Sequence, residues 1–183
     1  PKSYTYENRF TVPSGYLEMI VSVKAENTRN LSTTVTTKLQ GEIAITMTDV
    51  IDAMSAAFRE WESTGAMPES VSIQGFPFPK AQYFEYAART FFNLYTGKTD
   101  NPVVVGTYLD AEDNERPDTF EQDEISKNML NDALTKMINY AASNGMYPNY
   151  ASYGTVAIAP YEDPDGVAYE GYFTYRRAVV CVA

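Results

Sequence analysis

Val50-Ile51-Asp52-Ala53-Met54, running on to Gly65-Ala66-Met67-Pro68-Glu69-Ser70-Val71-Ser72, sets a pattern that the chain writes again eighty residues later. The second copy is Leu130-Asn131-Asp132-Ala133-Leu134, running on to Gly145-Met146-Tyr147-Pro148-Asn149-Tyr150-Ala151-Ser152. Asp-Ala, Gly, Pro and Ser keep register in both. Between Asp-Ala and Gly, apolar residues recur at helical spacing. Internal self-similarity of this kind points to one supersecondary unit used twice, for packing or for binding.

Local signals extend the pattern in both directions. Thr46 with Asp49 three residues on is a short-armed capping box, so a helix opens at Thr46 or Thr48. Val50, Ile51, Met54, Ala57, Phe58 and Trp61 share one face of that helix. Gly65 suits its C-terminal cap and Pro68 blocks a restart. Val71-Ser72-Ile73, Gln74-Gly75 and Phe76-Pro77-Phe78 predict a tiny hairpin. Pro79 suits the first turn of a second helix, whose buried face would be Tyr83, Phe84, Ala87, Phe91 and Leu94, with Gly97 as its end.

In the second copy, Ile125, Met129, Ala133, Met137 and Ala141 place the helix, Leu130, Leu134 and Ile138 widen its apolar face, and Gly145 and Pro148 end it. After Ser152 the copies diverge. Thr155-Val156-Ala157-Ile158-Ala159 predicts a strand and Glu162-Asp163-Pro164-Asp165-Gly166 a turn. Tyr172-Phe173-Thr174-Tyr175 echoes Tyr83-Phe84-Glu85-Tyr86, but it leads into Val179-Val180-Cys181-Val182, which prefers a strand. The second copy therefore reads as partial, keeping its first helix and losing its second.

The flanks read as β structure. Tyr4-Thr5-Tyr6, Arg9-Phe10-Thr11-Val12, Leu17–Val23 and Thr33–Thr37 are strand-like, with a Pro13-Ser14-Gly15 turn and a loop at residues 27–30. Val103-Val104-Val105 predicts a further short strand. The expected fold is α+β: an antiparallel sheet from N- and C-terminal strands with a helical repeat region between them. As one domain over residues 1–183, it divides into N-terminal strands (1–45), a first module (46–97), a second, partial module (122–153) and C-terminal strands (154–183).

Composition narrows the function. At 44% apolar residues the chain can fill a core, and 15 tyrosines supply contact area with polar tips, on a binding surface or on a sheet face. A net charge of −10 argues against nucleic acid or an anionic membrane as partner. With no histidine, Ser-His-Asp and Cys-His nucleophile systems are excluded and zinc loses its commonest ligand. The single Cys181 allows no intramolecular disulfide; it reads as a small buried hydrophobe, although pairing between subunits is open.

No apolar stretch is long enough to span a membrane. The chain opens at Pro1, which secretory processing, loss of methionine ahead of proline or trimming would each explain. Asn30-Leu31-Ser32 is one glycosylation sequon, a slight pointer to export. Residues 110–124 carry eight acids and read as an exposed loop; the spacing does not match an EF-hand, so a solvated loop is favoured over calcium. No motif selects a catalytic pair of carboxylates, a metal or a cofactor.

The residues Ile45–Ala53 through Gly65–Gly75, followed by Lys80-Ala81-Gln82-Tyr83-Phe84-Glu85-Tyr86-Ala87-Ala88, resemble the pseudomurein-binding repeat of surface proteins and wall-lytic enzymes of methanogenic archaea. The likeness covers about fifty residues in the first copy and about thirty in the second. It implies non-catalytic, extracellular attachment at an archaeal cell surface. The Cys-His domain of the wall-lytic members has no counterpart in a chain without histidine.

A glycan-peptide ligand needs aromatic faces and amide or hydroxyl partners. Ser72, Gln74, Gln82 and Tyr83 in the first copy, and Tyr147, Asn149, Tyr150 and Ser152 in the second, offer them. The same residues also suit a structural role, with serines satisfying turn backbone and aromatics filling the core. Expected partners are a wall glycan-peptide polymer or, alternatively, copies of the chain itself in a self-assembling sheath, pilus or surface layer.

Overall fold

The computed structural model describes residues 18–26, 32–40, 45–102, 107–112, 118–120 and 124–183. The fold is α+β, built from helices and small antiparallel ladders. It divides into two compact units, Pro1–Ala44 and Ile45–Ala183, where the sequence suggests a single domain.

In the first unit, β1 (Glu18–Glu26) and β2 (Ser32–Gln40) form a two-stranded antiparallel ladder from Glu18↔Gln40 to Glu26↔Ser32. The predicted strands and turn before residue 18, and the predicted strand Val103–Val105 in the second unit, lie outside the described residues. Among those described, the strands near the two ends of the chain do not share a sheet.

The second unit opens with α1 (Met47–Thr64), β3 (Ser70–Ile73), β4 (Phe76–Pro79) and α2 (Lys80–Tyr95). Thr46 and Asp49 close the expected capping box: the Asp49 N–H donates to Thr46 Oγ1 at 3.2 Å, and the Thr46 N–H to Asp49 Oδ2 at 2.9 Å. Gly65 ends α1 at φ 75°, its N–H donating to the Trp61 carbonyl at 2.7 Å; a side chain is strained in that region. Val50, Ala53, Met54 and Ala57 are buried, whereas Ile51 is exposed. Gln74 and Gly75, both at positive φ, turn β3 tightly into β4, the two-residue turn that matches strand twist. Pro79 is the N-cap of α2. Tyr83, Phe84 and Ala87 are buried as expected; Leu94 is exposed.

The same order returns. Next come α3 (Lys127–Asn144), β5 (Tyr150–Tyr153), β6 (Tyr161–Glu162), β7 (Ala168–Tyr169), β8 (Gly171–Thr174) and α4 (Tyr175–Cys181). The Ser126 hydroxyl caps α3 by accepting from the Met129 N–H at 3.0 Å, and Gly145 ends it at φ 76°. Strand β5 pairs with β8 as β3 pairs with β4: Ala151↔Phe173 matches Val71↔Phe78, all four buried. In each module the first N–H of the second helix donates to the carbonyl just before the first strand: Lys80 to Glu69 at 3.0 Å, Tyr175 to Asn149 at 2.8 Å.

Five expectations about the C-terminal stretch are therefore corrected. The second module is not partial, since it has its hairpin and a second helix, though α4 has 7 residues against 16 in α2. Val179-Val180-Cys181-Val182 is not a strand. The Thr174 hydroxyl accepts from the Arg177 N–H at 3.2 Å and starts a helix that buries Ala178 and Val179. That burial outweighs the few tenths of a kcal/mol by which β-branched residues disfavour helix. Thr155–Ala159 is an exposed turn with a single Thr155↔Ile158 bridge. The echo of Tyr83–Tyr86 in Tyr172–Tyr175 is not structural, because Tyr172 and Phe173 sit in a strand and Tyr83 and Phe84 in a helix. Cys181 is exposed instead of buried.

Residues 154–170 stand in the second module where Gln74-Gly75 stand in the first. They contain the β6–β7 hairpin, whose turn lies where expected: Asp163 Oδ1 accepts from the N–H groups of Asp165 and Val167 at 3.0 and 2.9 Å. Helix α2 packs against both α1 and α3, and α3 against α4. At the junction, Phe84 meets Tyr147 and Tyr175 edge-on, with ring centroids 5.0 and 4.8 Å away, and Tyr147 stacks on Tyr175 at 5.2 Å. The connecting segment seals this junction. The Leu109 N–H donates to the Gly145 carbonyl at 2.9 Å and its carbonyl accepts from Tyr147 at 3.1 Å, while Tyr108 meets Tyr147 edge-on.

Candidate functional site

Alternation along each short strand separates core from surface. In β3, Val71 and Ile73 point inward, leaving Ser70 and Ser72 exposed opposite Pro79 and Pro77. In β5, Ala151 and Tyr153 point inward, and Tyr150 and Ser152 remain half-buried on the outer face. Ser152 pairs across the ladder with Tyr172, whose ring lies 4.7 Å from that of Tyr150 at 65°. The outer face of the second hairpin is thus a tyrosine pair beside a serine, and that of the first is serine and proline.

The expected binding residues scatter over these environments. Tyr150 and Ser152 come together on one outer face, and Ser72 occupies the equivalent exposed place in the first module. Gln74 is exposed but turns its amide back to Asp49 Oδ2 at 2.8 Å, tying the hairpin turn to the α1 cap. Gln82 is half-buried on the first turn of α2. Asn149 is half-buried, with an Oδ1 that has no hydrogen-bond partner among the described residues.

Tyr83 and Tyr147 are corrected outright as surface aromatics. They are 0% and 1% exposed and belong to the core. The Tyr83 hydroxyl donates to the Pro68 carbonyl at 2.7 Å. Burial, reinforced by the Asp110 carboxylate, drives the phenol pKa of Tyr83 and of Tyr175 far above the ordinary value; for Tyr147 burial acts with Glu85. These phenols stay neutral and serve packing.

Tyr172 is the site residue that the sequence does not announce. It becomes visible only once β8 is registered against β5, since the inward Phe173 then forces its neighbour outward. Asp118 is a second one. It accepts from the Thr174 hydroxyl at 3.0 Å and from the Phe120 N–H at 3.0 Å, and meets Arg177 at 3.4 Å. Asp118 is thus pinned to β8 and α4 while it stays exposed, as Glu112 and Glu124 do, and Phe120 is buried against Tyr153, Tyr169 and Phe173.

Among the described residues, no group of three or more acidic or cysteine side chains is placed to hold a metal ion. No described helix is long and apolar enough to cross a membrane. No protein-family model matches the chain, and neither curated proteins nor solved structures yield a match.

Proposed function

We propose that the chain is a non-catalytic, extracellular surface protein of a methanogenic archaeon that attaches to a cell-wall glycan-peptide polymer through its paired modules. The observation that carries this is the Tyr150–Tyr172 pair beside Ser152 on the outer face of the β5–β8 ladder. Aromatic faces take the apolar side of a sugar ring, and a neighbouring hydroxyl takes its polar edge. Support also comes from the likeness of Ile45–Gly75 to the pseudomurein-binding repeat and from the absence of histidine in the sequence. Incubation of the whole chain with isolated pseudomurein sacculi tests this. The protein pellets with the sacculi and stays in solution without them; protein left in the supernatant in both tubes overturns the proposal.

One observation favours the alternative of a self-assembling sheath, pilus or surface-layer subunit. The nine-residue strands β1 and β2 pair only with each other among the described residues, and strand edges template pairing between chains. Filaments or sheets in negative stain of the protein alone, lost on removal of residues 1–12, would establish that alternative.

A further inference from the structure

Residues 154–170, the one large departure of the second module from the first, do more than lengthen a turn. Between them and residues 118–120 lies a cleft of about 460 Å³, lined by Thr119, Phe120, Gly154, Tyr169, Glu170 and Gly171 among others. That volume falls within the roughly 300–1,000 Å³ of small-molecule sites. Two glycines let its walls close. A Cβ on Gly154 (φ 61°) would lie 2.7 Å from Glu170 Cγ, and one on Gly171 (φ 101°) would lie 2.7 Å from Thr119 Oγ1.

The described lining combines an apolar wall, a hydroxyl and a carboxylate. Phe120, Ala168 and Tyr169 give an apolar wall. Thr119 Oγ1 accepts from the Tyr172 N–H at 2.9 Å, which leaves its own O–H to donate. Among the described lining residues Glu170 is the charged one, and it has no hydrogen bond or ion pair to another described residue. The neighbouring acid Asp118 is already engaged by Arg177. One carboxylate among the described lining residues is fewer than the six or more oxygens that a hard cation takes. It does suit one ammonium group.

We infer that this cleft binds a primary ammonium group carried on a compact body, with Glu170 as its charge partner and Thr119 as a hydrogen-bonding neighbour. An amino sugar or a lysine side chain would both supply that group. The site adjoins the Tyr150–Tyr172 face but does not use its rings, and it does not depend on wall attachment.

Amide-resolved NMR titration of the whole chain tests it, with methyl glucosaminide and Nα-acetyl-lysine amide as the two amines and methyl N-acetylglucosaminide as the neutral control. Saturable shifts at Thr119, Gly154, Glu170 and Gly171 are expected with an amine, and the tighter of the two names the source. Glu170→Gln, at an exposed position that leaves the fold intact, weakens binding about tenfold, the loss of one charge-assisted hydrogen bond. Ala168→Trp, which fills the cleft, removes it. Shifts of equal size with the neutral sugar, shifts unchanged in Glu170→Gln, or no shifts at these four amides would each overturn the assignment.

Discussion

The first module turns from strand to strand in two residues, Gln74 and Gly75, while the second spends residues 154–170 on the same step. Everything that sets the frame is nevertheless shared: a side-chain N-cap, a left-handed glycine at the helix end, a buried cross-strand pair, and a backbone bond from the second helix to the residue before the first strand. The differences fall where the frame is indifferent, at the turn and at outward strand positions. There the first module carries serine and proline and the second carries tyrosines and a cleft. A scaffold fixed by caps and register leaves such places free to take on recognition.

The comparison is broken most severely at the junction. Phe84→Ala removes the ring that Tyr147 and Tyr175 pack against, and should cost about 3–5 kcal/mol in a single urea transition for both modules. Two separate transitions would show that the modules are independent. Phe78→Ala and Phe173→Ala, at equivalent ladder positions, should each cost a similar amount, about 3 kcal/mol or more. A large disparity in urea midpoints would deny the equivalence of β4 and β8.

Gly65→Ala and Gly145→Ala place a Cβ at φ 75° and 76° in open space. The cost is then conformational alone, about 1–2 kcal/mol each, and nearly equal. Unequal thermal shifts would mean that the two helix ends differ.

The smallest effects separate the caps. Thr46→Ala and Ser126→Ala should each cost about 1 kcal/mol at neutral pH. Only the first module's cap depends on acid. The Thr46 hydroxyl and N–H, then the Gln74 amide, hold the Asp49 carboxyl below its ordinary value of 3.8, and the equivalent residue in the second module is Met129. A lowered folded pKa stabilises fully above the ordinary value and is lost as pH falls through the folded one. The stability gap between wild type and Asp49→Asn should therefore be constant near neutrality and shrink below pH 3.8. A gap that persists in acid would sever the link to this carboxylate.

Much of the frame is legible in the sequence because its signals are local. Thr46 with Asp49, Gly65, Gly145 and Gln74-Gly75 each specify backbone within a turn of themselves. The closing hairpin and helix of the second module are not, because Ala151 and Phe173 must find each other across an inserted hairpin. The β-branched run at Val179–Val182 then misdirects, since tertiary burial of Val179 overrides its propensity. Tyr83 and Tyr147 illustrate the limit for the site. A tyrosine reads alike whether it faces a ligand or packs inside, and only the burial of these two rings shows that they face inward.

Attachment through the outer tyrosine face is measured most directly by a binding isotherm of the whole chain on purified pseudomurein sacculi, run beside a Tyr150→Ala/Tyr172→Ala variant. Saturable binding of the wild type, weakened at least about tenfold in the variant, is the predicted result, in keeping with two stacking rings worth about 1 kcal/mol or more each. Identical isotherms for the two proteins, or no binding by either, would contradict it.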